Sequence, residues 1–310
     1  MRKTKRRLLI SLIPLLILAI TLGSVACASE ETAEVTPTPA STPQTTPTVH
    51  ENSMGYAIEA FERFPVEWKI GRYIDLATFR QDQNFTSFYE DCRKAVGQGL
   101  GNIGIDLNEV DHVSFVGGHA AVYTGRLDLD SIRQVLDSKN YDKSTYLDTE
   151  IRDSSDPEDG VVALLSPNSV LVTKDRQDAE TCISVIKGWG DSLYDNEGVK
   201  GLIAKLPLNP LRVDIGHDGD SGLLATASTI EKINSITLEM ISLAAFTDEV
   251  SAGDGLAKVA ADFNIRAHAW NMVSVESVQI RSFVKSTGKA NVEDIGAGAN
   301  PLGYETSWLH

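Results

Sequence analysis

The chain has 310 residues and a formal net charge of −15, because 43 Asp and Glu residues outnumber 28 Lys and Arg residues. An acidic balance of this size argues against nucleic acid as a partner, since phosphate binding depends on basic patches. The length allows one large domain or two small ones.

The first 27 residues have the order of a secretory signal. Five basic residues in "MRKTKRR" precede the uncharged stretch "LLISLIPLLILAITL", and small residues follow up to Cys27. A basic, an apolar and a small-residue region in this order direct a chain across a membrane, and the basic end stays in the cytoplasm. We therefore expect the residues after Cys27 to lie outside the cytoplasm, with a net charge of −20 once residues 1–26 are removed.

The residues around Cys27 resemble the lipobox of bacterial lipoproteins. The match is Val25-Ala26-Cys27, with Leu22 further upstream, and Ser24 stands where the family prefers Leu. The resemblance implies that Cys27 is lipidated, becomes the new N-terminus and anchors the protein to a membrane of the bacterial cell envelope. An acidic surface is repelled by anionic lipid headgroups, so the anchor rather than surface charge would hold the protein there.

Two alternatives remain open for this segment. Residues 26–28 also fit the A-x-A site of ordinary signal peptidase, which would release a soluble protein. Residues 8–28 are also long enough to span a bilayer without cleavage, since about 20 apolar residues suffice. Both alternatives place the remaining chain outside the cytoplasm as well.

Residues 28–52 form a predicted disordered linker that contains the stretch "TPTPASTPQTTPT". Proline removes backbone donors and biases its neighbours toward extended conformations, and the stretch has no apolar residues to contribute to a core. We interpret it as a stalk that reaches on the order of 40 Å at about 3.1 Å per residue.

Residues 56–208 form the first predicted α+β region. Alternating apolar residues indicate strands, Gly117-Gly118 suits a tight hairpin, and Asp128 is a plausible helix N-cap. The predicted elements of its first part are a strand at 69–76, a helix at 77–96, strands at 112–117 and 119–126, a helix at 128–139 and a strand at 145–152. The order β-α-β-β-α-β is that of a ferredoxin-like unit, with an antiparallel sheet and both helices on one face.

The rest of this region is predicted as a second hairpin followed by helices. The hairpin turns at Pro167-Asn168, and a helix runs from Arg176 to Trp189. Cys92 and Cys182 both fall in predicted helices; a disulfide is permitted outside the cytoplasm, but two separately buried thiols are the favoured interpretation.

Residues 209–290 are interpreted as a second α+β region. One hypothesis is that this region is a degenerate copy of the first, although the sequence shows no residue-level repeat. The predicted elements are a strand at 211–218, a short helix at 225–233, a strand or helix at 235–247, a helix at 248–263 and a strand at 274–286. The Gly- and Ala-rich tail at 291–310 is expected to be loosely ordered.

Residues 65–190 resemble uncharacterised bacterial extracytoplasmic proteins that are built from tandem ferredoxin-like units. The resemblance lies in "PVEWKIGRYIDLATFR", in "IDLNEVDHVSFVGG" followed by "YTGRLDLDSIRQVL", and in "GVVALLSPNSVLVTKDRQDAETCISVI". These stretches are fold signals, and the resemblance implies no catalytic residues.

Four motifs were weighed as sites, and none is predicted to be one. They are a G-x-G-x-x-G pattern at Gly99, Gly101 and Gly104, a "GDSG" at 219–222, acidic turns around Asp156 and Asp214, and the pair His112 and His119. A dinucleotide site needs its glycines between a strand and a helix, a serine protease needs a two-barrel frame, and calcium and zinc need ligand spacings that are missing here. The prediction is therefore no catalytic residue, no cofactor and no metal.

Two classes of function remain. The first is a membrane-tethered, non-enzymatic binding or structural module, which the signal segment, the linker and the missing catalytic set favour. The second is an extracytoplasmic enzyme whose site is assembled from residues far apart in the sequence. A deep pocket with convergent polar groups would favour the enzyme, and a flat or grooved sheet face would favour the module.

Overall fold

The computed structural model describes residues 52–156, 159–217 and 222–294. The described residues form one compact unit. Cys27, the predicted linker up to residue 51 and the predicted tail from residue 295 lie outside the described residues.

Seven α-helices occur in the described ranges. They are α1 (Ser53–Phe61), α2 (Leu76–Gln81), α3 (Thr86–Asn102), α4 (Leu129–Ser138), α5 (Arg176–Ile186), α6 (Glu197–Ile203) and α7 (Glu249–Ala269). Asp or Asn side chains cap six of them at the N-terminus, where they accept hydrogen bonds from the unpaired N–H groups of the first turn. Asp128 accepts hydrogen bonds from the backbone of Asp130 and Ser131, and Asp248 accepts one from Ser251 at the start of α7.

Within the same ranges, twelve β-strands form a single sheet. They are β1 (Ile70–Asp75), β2 (Val110–Val116), β3 (Ala120–Gly125), β4 (Asp142–Tyr146), β5 (Thr149–Asp153), β6 (Val161–Ser166), β7 (Ser169–Thr173), β8 (Arg212–Gly216), β9 (Leu223–Lys232), β10 (Thr237–Phe246), β11 (Val273–Ile280) and β12 (Phe283–Asn291). The spatial order is β11-β12-β10-β9-β8-β1-β2-β3-β7-β6-β5-β4, and every neighbouring pair is antiparallel.

Helices cover both faces of the sheet and create two apolar cores. One face packs against α2, α3, α4 and α7, with core residues that include Phe79, Leu100, Ile132, Leu136 and Phe263. The opposite face packs against α1, α5 and α6, with core residues that include Phe61, Ile183, Leu202 and Ile203. The molecule is therefore a three-layer α/β/α structure with mixed helix and strand content, which confirms the α+β class with a large antiparallel sheet.

The chain folds as two topological repeats. In the first, α1 leads into β1, β2 and β3, then α4, then the hairpin β6–β7, and β7 pairs with β3. In the second, α6 leads into β8, β9 and β10, then α7, then the hairpin β11–β12, and β12 pairs with β10. The helices α2 and α3 and the hairpin β4–β5 are insertions in the first repeat.

Equivalent strands of the two repeats meet at the centre of the sheet. β1 and β8 are antiparallel neighbours, and Arg72 lies directly opposite Asp214, which is 142 positions later. The same spacing relates Phe64-Pro65 to Leu206-Pro207, in the connections that lead from α1 to β1 and from α6 to β8. A local twofold axis therefore passes between Arg72 and Asp214.

The ferredoxin-like arrangement predicted for residues 65–152 is not confirmed. In a ferredoxin-like unit, the helix between the first two strands connects strands that run parallel. Here α2 and α3 connect β1 to β2, and these two strands are direct antiparallel neighbours. Pairing order depends on contacts between distant residues, which the order of elements along the chain does not specify.

Three further predictions of secondary structure were wrong. The single strand expected at 274–286 is part of the hairpin β11–β12, whose turn residue Arg281 has positive φ. The single strand expected at 145–152 is the hairpin β4–β5, whose turn residues Leu147 and Asp148 both have positive φ. A two-residue turn of this kind normally carries Gly or Asn, so these residues carry no recognisable turn signal. The short helix expected at 225–233 belongs to β9, which is buried on both faces and therefore lacks a clear polar–apolar alternation.

Candidate functional site

One row of directly paired residues crosses the sheet and changes character at the local twofold axis. In the first repeat the row is apolar, and its members Phe115, Ala121, Val172 and Val162 belong to the core beneath α4. In the second repeat the row continues from Asp214 through Ser228, Ser242, Ser286 and Ser277. Equivalent positions are therefore filled by apolar side chains in one repeat and by hydroxyl groups in the other.

Charged residues at the twofold axis form a compact ion-pair cluster. Arg72 and Arg212 both donate to the carboxylate of Asp214, with Arg212 Nε at 2.8 Å from Oδ2. The Arg72 guanidinium also lies over the ring of Phe115, 5.8 Å from its centroid. Burial alone would raise the pKa of Asp214, but the two guanidinium groups outweigh it and lower that pKa to about 2. This cluster joins the two repeats.

The serine row lies beneath α7, and Arg266 in the last turn of that helix reaches down to it. Arg266 Nη1 donates to Ser228 Oγ at 3.3 Å, and Nη2 donates to Ser242 Oγ at 3.2 Å. Further along the row, the hydroxyl groups of Ser277 and Ser286 share a hydrogen bond of 2.7 Å. Ser228 and Ser242 are 5% and 2% exposed. α7 thus places a cation over buried hydroxyl groups in the interior of the fold.

A cleft of about 390 Å³ opens between α7 and the sheet. This volume lies within the range of about 300–1,000 Å³ that is typical of small-molecule sites. Its lining residues are Leu223, Thr226, Ser242, Ala244 and Phe246 on the sheet side and Ser251, Asp254, Gly255, Lys258, Val259, Asp262 and Arg266 on α7. An apolar floor therefore meets a polar end at Ser242 and Arg266.

The cation inside the cleft has no carboxylate partner. Within the described ranges no Asp or Glu oxygen lies within 4.0 Å of the Arg266 guanidinium, whose partners are two hydroxyl groups and the backbone carbonyl of Asp262. Because the oxygens of Ser228 and Ser242 accept from Arg266, their own protons remain to be donated. No acceptor for those protons occurs among the described residues, so Ser242 and Arg266 both offer hydrogen-bond donors at this end of the cleft.

Glycines hold α7 close to the sheet at the cleft. A Cβ at Gly255 would lie 2.5 Å from the ring of Phe246, a distance that the packing cannot accommodate. Gly222 has φ +75° and begins the connection into β9 in a conformation that favours glycine. Gly253 and Gly255 both lie in the first two turns of α7, and glycine there lowers the stability of the helix.

The two histidines that were weighed as metal ligands have separate partners. His112 stacks on Tyr56 and shares a hydrogen bond of 2.9 Å with the Tyr73 hydroxyl, in a cluster beneath α1. His119 stacks on Trp68 and lies 3.2 Å from the carboxylate of Asp178. Among the described residues no group of three or more His, Cys, Asp or Glu side chains could hold a metal ion.

No glycine of the G-x-G-x-x-G pattern and no described residue of the acidic turns lines the cleft. Gly99 and Gly101 lie within α3 and Gly104 follows it, so the glycine pattern ends a helix instead of opening one. The "GDSG" residues up to 221, with Asp218 and Asp220, lie outside the described residues, as does Glu158 of the other acidic turn. Cys182 is a buried free thiol, and the side chain of Cys92 lies outside the described part.

Two other depressions are weaker candidates for a ligand site. The polar cluster around His112 and Arg63 encloses only about 10 Å³. A depression of about 460 Å³ lies beside α3, but its Arg93 is already paired with Glu90. The cleft beneath α7 combines a ligand-sized volume with a cation that has no carboxylate partner among the described residues.

Comparison with known proteins gives no independent indication of function. A scan of protein-family models and searches of curated proteins and of solved structures found no match to this chain. The lipobox resemblance and the family resemblance of residues 65–190 therefore stay predictions. Among the described residues, no helix is both long enough and apolar enough to span a membrane.

Proposed function

We propose that this protein is a membrane-tethered, extracytoplasmic binding module that holds a small ligand in the cleft beneath α7. The observation that carries the proposal is the half-buried Arg266, which faces the cleft without a carboxylate partner among the described residues. Buried or half-buried charges are normally paired, so an unpaired cation at the end of a cavity indicates a site for a partner from outside the chain.

The difference between the repeats supports the same proposal. The first repeat fills the equivalent row with apolar side chains, and this satisfies the core. Hydroxyl groups at these positions bury less apolar surface and therefore stabilise the fold less, so their presence in the second repeat is better explained by binding than by stability.

The tether is supported by the order of charges and apolar residues around Cys27. Lipidation of Cys27 places the folded unit outside the cytoplasm at the end of the Thr/Pro-rich stretch. Cys27→Ser should move the protein from the membrane fraction to the medium or leave an unprocessed precursor, and Ser24→Leu should leave it membrane-bound. A Cys27→Ser protein that stays in the membrane with an intact N-terminus would instead support the uncleaved anchor.

Native mass spectrometry of the membrane-extracted protein tests the binding site. Val259 lines the cleft, and Val250 lies on the same helix with 74% exposure and does not line it. The wild-type protein and Val250→Phe should carry the same small molecule, and Val259→Phe should lose it because the larger side chain fills the cavity. Equal occupancy in Val259→Phe, or a wild-type protein that carries nothing, would contradict the proposal.

A further inference from the structure

We infer that the ligand of the cleft is an amphiphilic monocarboxylate, with its carboxylate bound by Arg266 and Ser242 and its apolar part against Phe246 and Val259. The inference rests on the proposed function and specifies the chemistry of the ligand. It is carried by three features of the cleft: the donors at its inner end, the charges at its rim and the apolar residues between them.

The inner end is suited to an oxyanion. Arg266 carries a permanent positive charge, and Ser242 offers a hydroxyl proton that has no acceptor among the described residues. A carboxylate accepts hydrogen bonds only, and charge-assisted hydrogen bonds to it are about twice as strong as neutral ones. A protonated ligand amine cannot accept hydrogen bonds from these donors, and a sugar hydroxyl would accept without a negative charge to pair with Arg266.

The rim limits the charge that the ligand can carry. Asp254, Lys258 and Asp262 are exposed cleft residues that precede Arg266 at intervals of four along α7. With two carboxylates against two cations, the lining is neutral overall and the chain as a whole is strongly acidic. A second negative charge on the ligand would lie near Asp254 or Asp262 and be repelled, so a monocarboxylate is favoured over a phosphate monoester.

The residues between the two ends are apolar. Phe246 and Ala244 are buried on the sheet side, while Leu223 and Val259 are partly buried and complete the wall. Gly255 lets α7 pack directly against the Phe246 ring, because any side chain there would collide with the ring. An aliphatic chain or an aromatic ring attached to the carboxylate would be removed from water against these residues.

Isothermal titration of the full-length, detergent-solubilised protein tests the inference with matched probes. The probes are 3-phenylpropanoate, its neutral amide 3-phenylpropanamide and the dianion 2-phenylethyl phosphate. The wild-type protein should bind the carboxylate at least about tenfold more tightly than the amide, the difference expected from one charge-assisted contact. The phosphate should bind more weakly than the carboxylate.

Variants assign this selectivity to a residue. Arg266→Gln should reduce the affinity for the carboxylate by at least about tenfold and leave that for the amide nearly unchanged, because only the charged contact is lost. Lys258→Gln removes an exposed cation from the same helix and should change the carboxylate affinity far less. Ser242→Ala, which leaves the helix unaltered, should lower the carboxylate affinity in a protein whose melting temperature is near that of the wild type.

The outcomes separate this inference from the proposed function. Equal affinity for the carboxylate and the amide, or binding that survives Arg266→Gln, would overturn the inference while leaving a cleft that binds small molecules. Tighter binding of the phosphate would overturn the single-charge requirement. If no carboxylate binds the wild-type protein, the inference is wrong, and the proposed function is then decided by the mass spectrum of Val259→Phe.

Discussion

Tyr123 places a hydroxyl group in the core beneath α4 without a hydrogen-bond partner among the described residues. The side chain is 1% exposed, and its burial raises the pKa of Tyr123 far above the ordinary value. An unsatisfied buried hydroxyl costs about 1–3 kcal/mol, so we expect Tyr123→Phe to leave the free energy of unfolding unchanged or to raise it.

Urea denaturation of Tyr123→Phe and Phe115→Ala measures this effect against a matched core change. Phe115 lies in the same core and loses its ring in the second variant, which should cost about 3–5 kcal/mol. A loss of more than about 1 kcal/mol in Tyr123→Phe would show that the hydroxyl has a stabilising partner.

His112 links the stability of the fold to pH. Burial lowers the pKa of His112, although the nearby carboxylates of Asp75, Asp111 and Glu59 act in the opposite direction and Arg63 acts with burial. The unfolded chain therefore takes up this proton at a higher pH than the folded chain. The free energy of unfolding should fall as the pH decreases from about 6.5 toward the folded-state pKa, and the loss should level off below it.

Melting temperatures of the wild type and His112→Gln between pH 7.5 and 4.5 test this linkage. The variant cannot take up the proton, so its melting temperature should decline less steeply below about pH 6.5 than that of the wild type. Its absolute stability should also be lower, because the stacking on Tyr56 and the hydrogen bond with Tyr73 are altered. Parallel pH profiles for the two proteins would contradict the assignment to His112.

At the scale of elements, the glycines of α7 lower its helix stability and allow close packing on the sheet. A Cβ added at Gly201, in α6, would have no neighbouring atom within 4 Å, whereas a Cβ at Gly255 would lie 2.5 Å from Phe246. Alanine is favoured over glycine in a helix by about 1 kcal/mol. Gly201→Ala should therefore stabilise the protein by up to about that amount, and Gly255→Ala should destabilise it in spite of the same gain in propensity.

Thermal unfolding of the two variants decides between packing and propensity. Opposite shifts of the melting temperature would support close packing of α7 on Phe246. An equal rise in both would mean that α7 has room at Gly255 and that the cleft beneath it is wider than the structure indicates.

Several elements could be predicted from the sequence because their signals are local. Asp128 and the spacing of Ile132 and Leu136 predicted α4, and Gly117-Gly118 predicted the hairpin β2–β3, both of which are confirmed. The pairing of β1 with β8 could not be predicted, because Arg72 and Asp214 are 142 positions apart and no local pattern records their contact.

The site could be predicted even less well than the fold. The sequence predicts a helix around Ser228 and allows strand or helix around Ser242, so it does not predict that their side chains share one face of a sheet. Arg266 lay beyond the end predicted for α7, in a stretch with no motif. The available signal is a serine among buried apolar residues in β10. This serine points to a binding site only when the strand order is known, because that order aligns the serines of four strands.

At the scale of the whole molecule, the two repeats share one sheet. The predicted boundary near residue 208 falls between α6 and β8, inside the second repeat, and β8 continues the sheet from β1. Because each repeat supplies the other with a paired central strand, we expect the folded unit to unfold in one cooperative transition. Differential scanning calorimetry should give one peak, with equal calorimetric and van't Hoff enthalpies. Two separable peaks would mean that the repeats are independent domains.

The central claim is that the second repeat binds a ligand beneath α7 while the equivalent place in the first repeat is a filled core. Hydrogen–deuterium exchange with and without saturating 3-phenylpropanoate tests it most directly, because α4 serves as the internal control for α7. The account predicts slower exchange in peptides from α7, with exchange in α4 unchanged. Slower exchange in α4, or no change in α7 at a probe concentration that raises the melting temperature, would contradict it.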